Sequence, residues 1–297
     1  MMDEHLIRQF AEAAASPDEG DLPRAALFIP RLEYRRLDPA PWLSRLTRLG
    51  ALATARLERL GRGADTRTRI EALNELLFEQ EGFAGNETRY DDPRNSFLND
   101  VLERKTGIPI TLSLVYLDVA RRAGVQMEGV NFPGHFLVRC RTGPGNVDEP
   151  DELIIDPFHR GRLLTEAECR QLLRRHLGEE ATFDRRLLVT AMKPQILARM
   201  LVNLKTLYVS MRSFPQAREV VRLLLALDPQ ALSEIRDRGL LSYHLGDHEG
   251  ALRDLEAYLQ AVSRGVPTEG WNEERRSEYR QIWEHVKTLR RRIASFN

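Results

Sequence analysis

The chain has 297 residues, enough for two domains, and 42% of them are apolar, enough to give each a buried core. Its 44 basic and 44 acidic side chains cancel, so no net field favours nucleic acid or an anionic membrane surface. Two cysteines, Cys140 and Cys169, are read as providing neither a disulfide framework nor a four-ligand zinc site, and no apolar run reaches the ~20 residues that span a bilayer.

The N-terminal Met-Met-Asp-Glu-His lacks the basic and apolar regions of a secretory signal, so a cytoplasmic location is expected. Helical patterning dominates from Asp3 to about Gly82. One segment has Asp38 as N-cap and Pro39 in its first turn, and carries Trp42, Leu46, Leu49, Ala53, Leu57 and Leu60 on one stripe. Gly61-Arg62-Gly63 stops it, and Ile70, Leu73, Leu76 and Leu77 mark the next helix. Asn95 is then placed as the cap of a short helix ending at Thr106-Gly107, with glycine in the left-handed closing position. Pro109 opens a longer helix whose Leu112, Val115, Tyr116, Val119 and Ala120 predict deep burial up to Gly124.

Beyond Gly124 the texture changes to strands over 129–132 and 135–140, separated by Pro133-Gly134, with a third over 153–156 after a polar loop from Gly143 to Asp151. Strand alternation places His135, Leu137 and Arg139 on one face and Cys140 on the other; Ile154 and Asp156 likewise share a face. Thr165 and Glu168 have capping-box spacing, predicting a helix to about His176, with Cys169 as a small core residue. Farther on, Ala217 and Ala251 lie 34 residues apart, each followed four residues later by an apolar residue, and Asp228-Pro229 closes the first unit. A 34-residue helix-turn-helix period is that of tetratricopeptide repeats. Two repeats and a capping helix over 273–295 follow, with Arg290-Arg291-Arg292 as solvated surface. The expected class is α+β: a mainly helical part with a small antiparallel sheet over 1–190 and helical repeats over 191–297.

The runs Gly-Ile-Pro-Ile-Thr-Leu-Ser-Leu at 107–114, Asn-Phe-Pro-Gly-His-Phe at 131–136 and Ile-Ile-Asp-Pro-Phe at 154–158 resemble a transglutaminase-like, papain-type core. With repeats behind it, the arrangement is similar to the bacterial transglutaminase-like tetratricopeptide family of the SirB type. That resemblance implies a cysteine at the start of the buried helix as acyl nucleophile, a strand histidine as its base and an aspartate orienting the histidine. His135 and Asp156 stand at the matching positions, but Pro109-Ile110-Thr111 contains no cysteine, so thiol chemistry is expected to be absent. Thr111 and Ser113 are the nearby hydroxyls.

The resemblance implies a regulatory or scaffolding protein whose repeats bind a protein or peptide, with Asn203, Tyr208 and Arg238 as candidate groove residues. The alternative is an acyl-transfer or amide-hydrolysing enzyme using Thr111 or Ser113 with His135 and Asp156. Asn99, Asn131 and His159 are further pocket candidates; the spacing of His135, Asp156 and His159 is not distinctive of a metal site, so neither metal nor cofactor is expected. No nucleic-acid or membrane partner is expected, and the oligomeric state is not legible.

Overall fold

A computed structural model describes residues 3–61, 63–142, 151–265 and 272–296. Arg62 and the loop expected from residue 143 fall, for residues 143–150, outside that set. Twelve α-helices are described: α1 (Glu4–Ala15), α2 (Leu22–Ala26), α3 (Ala40–Leu60), α4 (Thr66–Asn74), α5 (Leu98–Arg104), α6 (Pro109–Arg122), α7 (Glu166–Leu177), α8 (Lys193–Ser210), α9 (Phe214–Leu227), α10 (Leu232–His244), α11 (His248–Gly265) and α12 (Glu273–Phe296). The strands are β1 (Ala84–Gly85), β2 (Thr106–Gly107), β3 (Glu128–Val130), β4 (Leu137–Arg141), β5 (Glu152–Asp156) and β6 (Arg162–Leu164). Two compact units result: Glu12–Met200, and Met1–Ala11 together with Leu201–Asn297.

The first unit is built on α6. Eleven of its residues are buried, including Thr111, Ser113 and Asp118, because apolar side chains run round nearly its whole circumference. Asp118 is tolerated there because Arg121 and Arg122 donate to its two oxygens at 2.9 and 2.6 Å. Packed beside α6 is an antiparallel sheet in the order β3-β4-β5-β6, with Val138 opposite Ile155 and Ile155 opposite Leu163. Cys169, Leu172 and Leu173 of α7 join Val130, Phe132, Leu137 and Ile154 in one cluster, so Cys169 is a core residue as expected. Burial pushes its thiol up to about 11, far from a reactive thiolate.

Several local expectations shift. α3 begins at Ala40, whose N–H is accepted by Asp38 Oδ1 at 3.0 Å, one residue later than the sequence suggested. Asn95 does not cap α5. Its fully buried side chain donates to the carbonyls of Arg89 and Tyr90, at 2.7 and 3.2 Å, and accepts from Asn86, tying down the 86–95 loop. The left-handed residue ending α5 is Lys105 (φ 58°), whose ammonium group binds Glu81, while Gly107 pairs in parallel with Gly85. β1, β2 and β6, of two to three residues each, were too short to leave a periodic signal.

In the second unit α9–α12 form consecutive antiparallel pairs. Ala217 and Ala251, the residues that carry the 34-residue period, are both fully buried, as are Val221 and Leu255. A Cβ on Gly239 would come within 2.8 Å of Leu255 Cγ, which shows how closely α10 approaches α11. Lys205 of α8 binds Glu234 and Asp237, both at 2.7 Å, a partly buried network that fixes α8 to α10. Among the described residues no helix is long and apolar enough to cross a membrane.

Candidate functional site

Asp156 ends β5, and its Oδ1 caps the single helical turn Pro157–His159 by accepting from the N–H groups of Phe158 and His159 at 3.1 and 3.4 Å. His135 does not lie on a strand. The Pro133-Gly134 turn continues through it, with Gly134 at φ 72° and His135 N–H bonded to Phe132 O, and β4 starts only at Leu137. The expected strand-face argument therefore fails for His135, although the residue still meets Asp156: its Nε2 lies 2.9 Å from Oδ1. On the other side His159 Nδ1 lies 2.7 Å from Oδ2. With the carboxylate ionised, both ring nitrogens donate and the aspartate accepts.

Burial and charge act in opposite senses here. Desolvation would raise the Asp156 carboxyl, but the hydrogen bonds and charge of the two histidines outweigh it and hold the group well below the usual carboxylate range. The bond to Asp156 raises His159 above the ordinary imidazole value, against a smaller lowering from partial burial. An NMR titration should find the His159 midpoint above that of a free histidine and see it fall in Asp156→Asn, whose amide carries no charge; an unchanged midpoint would contradict the contact.

His135 and Asp156 are 5% and 2% exposed, and Phe158 stands edge-on to His135 at 5.9 Å between ring centroids. His159 is the accessible member, and with Asp156 it lines a cavity of about 370 Å³ that also presents Arg162, Glu168, Gln171 and Arg175. Arg162 pairs with Glu168 across it. His176 is a third imidazole that sequence reasoning missed: its ring lies 5.9 Å from that of His135 at an angle of 22°. A signal existed, since Cys169, Leu172, Leu173 and His176 share one stripe of α7.

The hydroxyls behave differently from the enzyme expectation. Thr111 Oγ1 lies 2.8 Å from Asn95 O and 3.1 Å from Ile108 O, either of which can take its proton, and it accepts from Ile108 N–H at 3.1 Å. It is thus part of the α6 cap. Ser113 Oγ and Asn99 Oδ1 are buried and, among the described residues, have no hydrogen-bond partner. Asn131 is exposed and accepts from Arg199 at 2.6 Å. Of the candidate pocket residues, only His159 is brought into hydrogen-bond contact with the His135–Asp156 pair.

The repeat unit carries a separate charged cavity of about 300 Å³, lined by Arg218, Arg222, Arg238, Asp247, Arg253 and Asp254 among others. Arg238 is ion-paired with Asp254 at 2.6 Å. Asn203 is half-buried, while Tyr208, expected on an exposed groove, is 3% exposed and belongs to the core. The angular position of Tyr208 on α8 turns it inward, which the 34-residue period alone does not specify.

A mainly helical core with a buried helix, a four-stranded sheet and a His–Asp pair, followed by paired helices of 34-residue period, defines a transglutaminase-like protein with tetratricopeptide repeats. Residues 41–202 match the family model of the transglutaminase-like superfamily, and residues 204–277 match that of the tetratricopeptide repeat. The chain belongs to the transglutaminase-like superfamily. It is 38% identical over 264 residues to a UPF0162 protein of Xylella fastidiosa, covering 87% of this chain and 91% of that one. A UPF0162 protein of Vibrio cholerae is 29% identical over 196 residues, 66% of this chain and 70% of its own length. The F-box only protein 21 of Homo sapiens is 37% identical over 182 residues, 60% of this chain and 28% of that protein. Repeats of this class stack into extended surfaces that bind partners, which assigns the second unit a protein-interaction role.

Proposed function

We propose that this chain is a regulatory or scaffolding protein of the SirB type, located in the cytoplasm, in which a transglutaminase-like core without its thiol accompanies repeats that bind a protein or peptide. One observation carries the reading. Where a nucleophile would start α6, the chain has Pro109-Ile110-Thr111, and the single proton of the Thr111 hydroxyl goes to the carbonyl of Asn95 or of Ile108. A hydroxyl engaged in this way is a poor acyl acceptor, because activation by a base would first break a buried cap. The His135–Asp156 pair then serves to hold the turn before β4 against the end of β5.

The repeat cavity supports the binding half. Three of its four arginines are ion-paired, Arg218 with Asp247, Arg222 with Glu4 and Glu219, and Arg238 with Asp254, so the charge of Arg253 is what favours a carboxylate of a partner segment. Substituting Arg253, which is exposed on α11, by Glu reverses one of these charges without opening the core.

Two measurements test the reading together. A hydroxyl-directed covalent probe applied to the intact protein should leave Thr111 and Ser113 unlabelled. Labelling of either residue that disappears in His135→Ala would establish the acyl-transfer alternative instead. Crosslinked partners of the wild-type protein should be lost from Arg253→Glu and from Asn203→Ala; retention of every partner by both would remove the binding role.

A further inference from the structure

We propose that His135, Asp156 and His159 bind one first-row divalent cation of the Zn²⁺ or Co²⁺ kind, with the remaining coordination positions opening on the cavity beside Arg162 and Arg175. This goes beyond the scaffolding role and does not depend on it. A ring nitrogen of each histidine and a carboxylate oxygen all lie within 4.8 Å of one another, although the three residues come from a turn, a strand end and a helical turn. Two imidazoles and one carboxylate suit borderline cations and leave positions for water or a carboxylate ligand; Mg²⁺ and Ca²⁺ prefer all-oxygen shells.

The distances are compatible with an ion between the donors. Metal–ligand bonds of about 2.0–2.2 Å place neighbouring ligand atoms roughly 3 to 3.5 Å apart. His135 lies 2.9 Å from Asp156 Oδ1 and His159 2.7 Å from Oδ2, contacts that need to open by less than an ångström, while the widest of the three donor separations, within 4.8 Å, has to close by about an ångström or more. The surroundings divide that movement unequally. Asp156 is anchored by two backbone N–H groups and His135 is packed edge-on to Phe158, so both are preorganised. His159, with 41% of its side chain exposed, is the ligand able to adjust.

Entry is provided by the same cavity. Asp156 and His159 both face it; Arg162 there is paired with Glu168, and Arg175 would attract an anionic group to the open positions of the bound ion. A carboxylate or phosphate held there would touch metal and guanidinium together, which is a more selective arrangement than either alone.

The test uses the full chain, stripped with chelator and dialysed. Co²⁺ is titrated while its visible absorption is followed, and Zn²⁺ is titrated by calorimetry and by thermal unfolding. The expected result is saturation at one ion per chain, displacement of Co²⁺ by Zn²⁺ and a rise in Tm, since an ion that binds only the folded state stabilises it. His159→Ala, at an accessible position, should bind at least about tenfold more weakly and lose the Tm rise. His135→Gln should do the same, with circular dichroism to verify its fold. Absence of saturable binding to the wild type overturns the proposal. So does unchanged affinity in His159→Ala, which would mean that the ion sits elsewhere and that the three residues form only a hydrogen-bonded triad.

Discussion

Asp156→Ala is expected to lower the stability of the protein by about 3–5 kcal/mol, the range found when one partner of a buried charged pair is removed. The carboxylate is 2% exposed and accepts from His135, His159 and two backbone N–H groups. Alanine leaves His135, itself 5% exposed, without the acceptor of its Nε2, and it uncaps the turn that carries Phe158 and His159. Asp156→Asn retains the shape and one acceptor, so it should cost about 1–3 kcal/mol. Urea unfolding at neutral pH in the presence of chelator measures both. Equal costs for the two variants would show that charge contributes nothing at this position.

The pH dependence of that difference has a definite sign. Because the folded-state pKa of Asp156 is depressed, its contribution is complete above the ordinary carboxylate value and is lost as the pH falls through the folded value. His159 is shifted the other way. Its share is complete below the ordinary imidazole value and is lost as the pH rises through the raised one. The gap between wild type and Asp156→Ala should therefore be widest in mildly acidic solution, narrowing in strong acid and, more modestly, above neutrality. A gap independent of pH would contradict both assignments.

The parts of this architecture that were legible in the sequence share a physical cause. α6 announces itself by apolar residues on every side and a proline in its first turn; α7 by a capping box in which Thr165 and Glu168 do bond reciprocally. The repeats are legible because small residues must recur where helices touch, and Ala217 and Ala251 are fully buried. What escaped depends on long-range context. Asn95 has the chemistry of a helix cap but serves as the buried hub of a loop, a role fixed by Asn86, nine residues away. His135 sits two residues short of its strand because Gly134 prolongs the bend, and period-two alternation cannot detect that offset. The third imidazole, His176, shares the stripe of Cys169, Leu172 and Leu173 on α7, a legible pattern, but which residue it meets across that face depends on how α7 packs.

Gly161→Ala should cost about as much as the loss of Asp156, roughly 3–5 kcal/mol, through a different route. Gly161 has φ 73°, where a Cβ costs about 1–2 kcal/mol. That Cβ would also stand 2.0 Å from Asn74 Oδ1 and 2.3 Å from its Cγ. Asn74 has no room to yield cheaply. Its amide donates to Gly161 O at 2.8 Å and its oxygen accepts from Tyr116 OH at 2.8 Å, and Tyr116 is 1% exposed within α6. Displacing Asn74 leaves a buried phenol without its acceptor, a further cost of about 1–3 kcal/mol. Asn74→Ala alone should forfeit those hydrogen bonds but remove the obstacle, so the double variant Asn74→Ala/Gly161→Ala should be more stable than the sum of the single costs predicts. Gly161 N–H also bonds to Asp156 O at 2.8 Å, which joins this contact to the candidate site. The single Gly161→Ala variant should accordingly shift the His159 titration toward that of a free histidine, whereas strict additivity and an undisturbed His159 would show that α4, α6 and the site are mechanically independent.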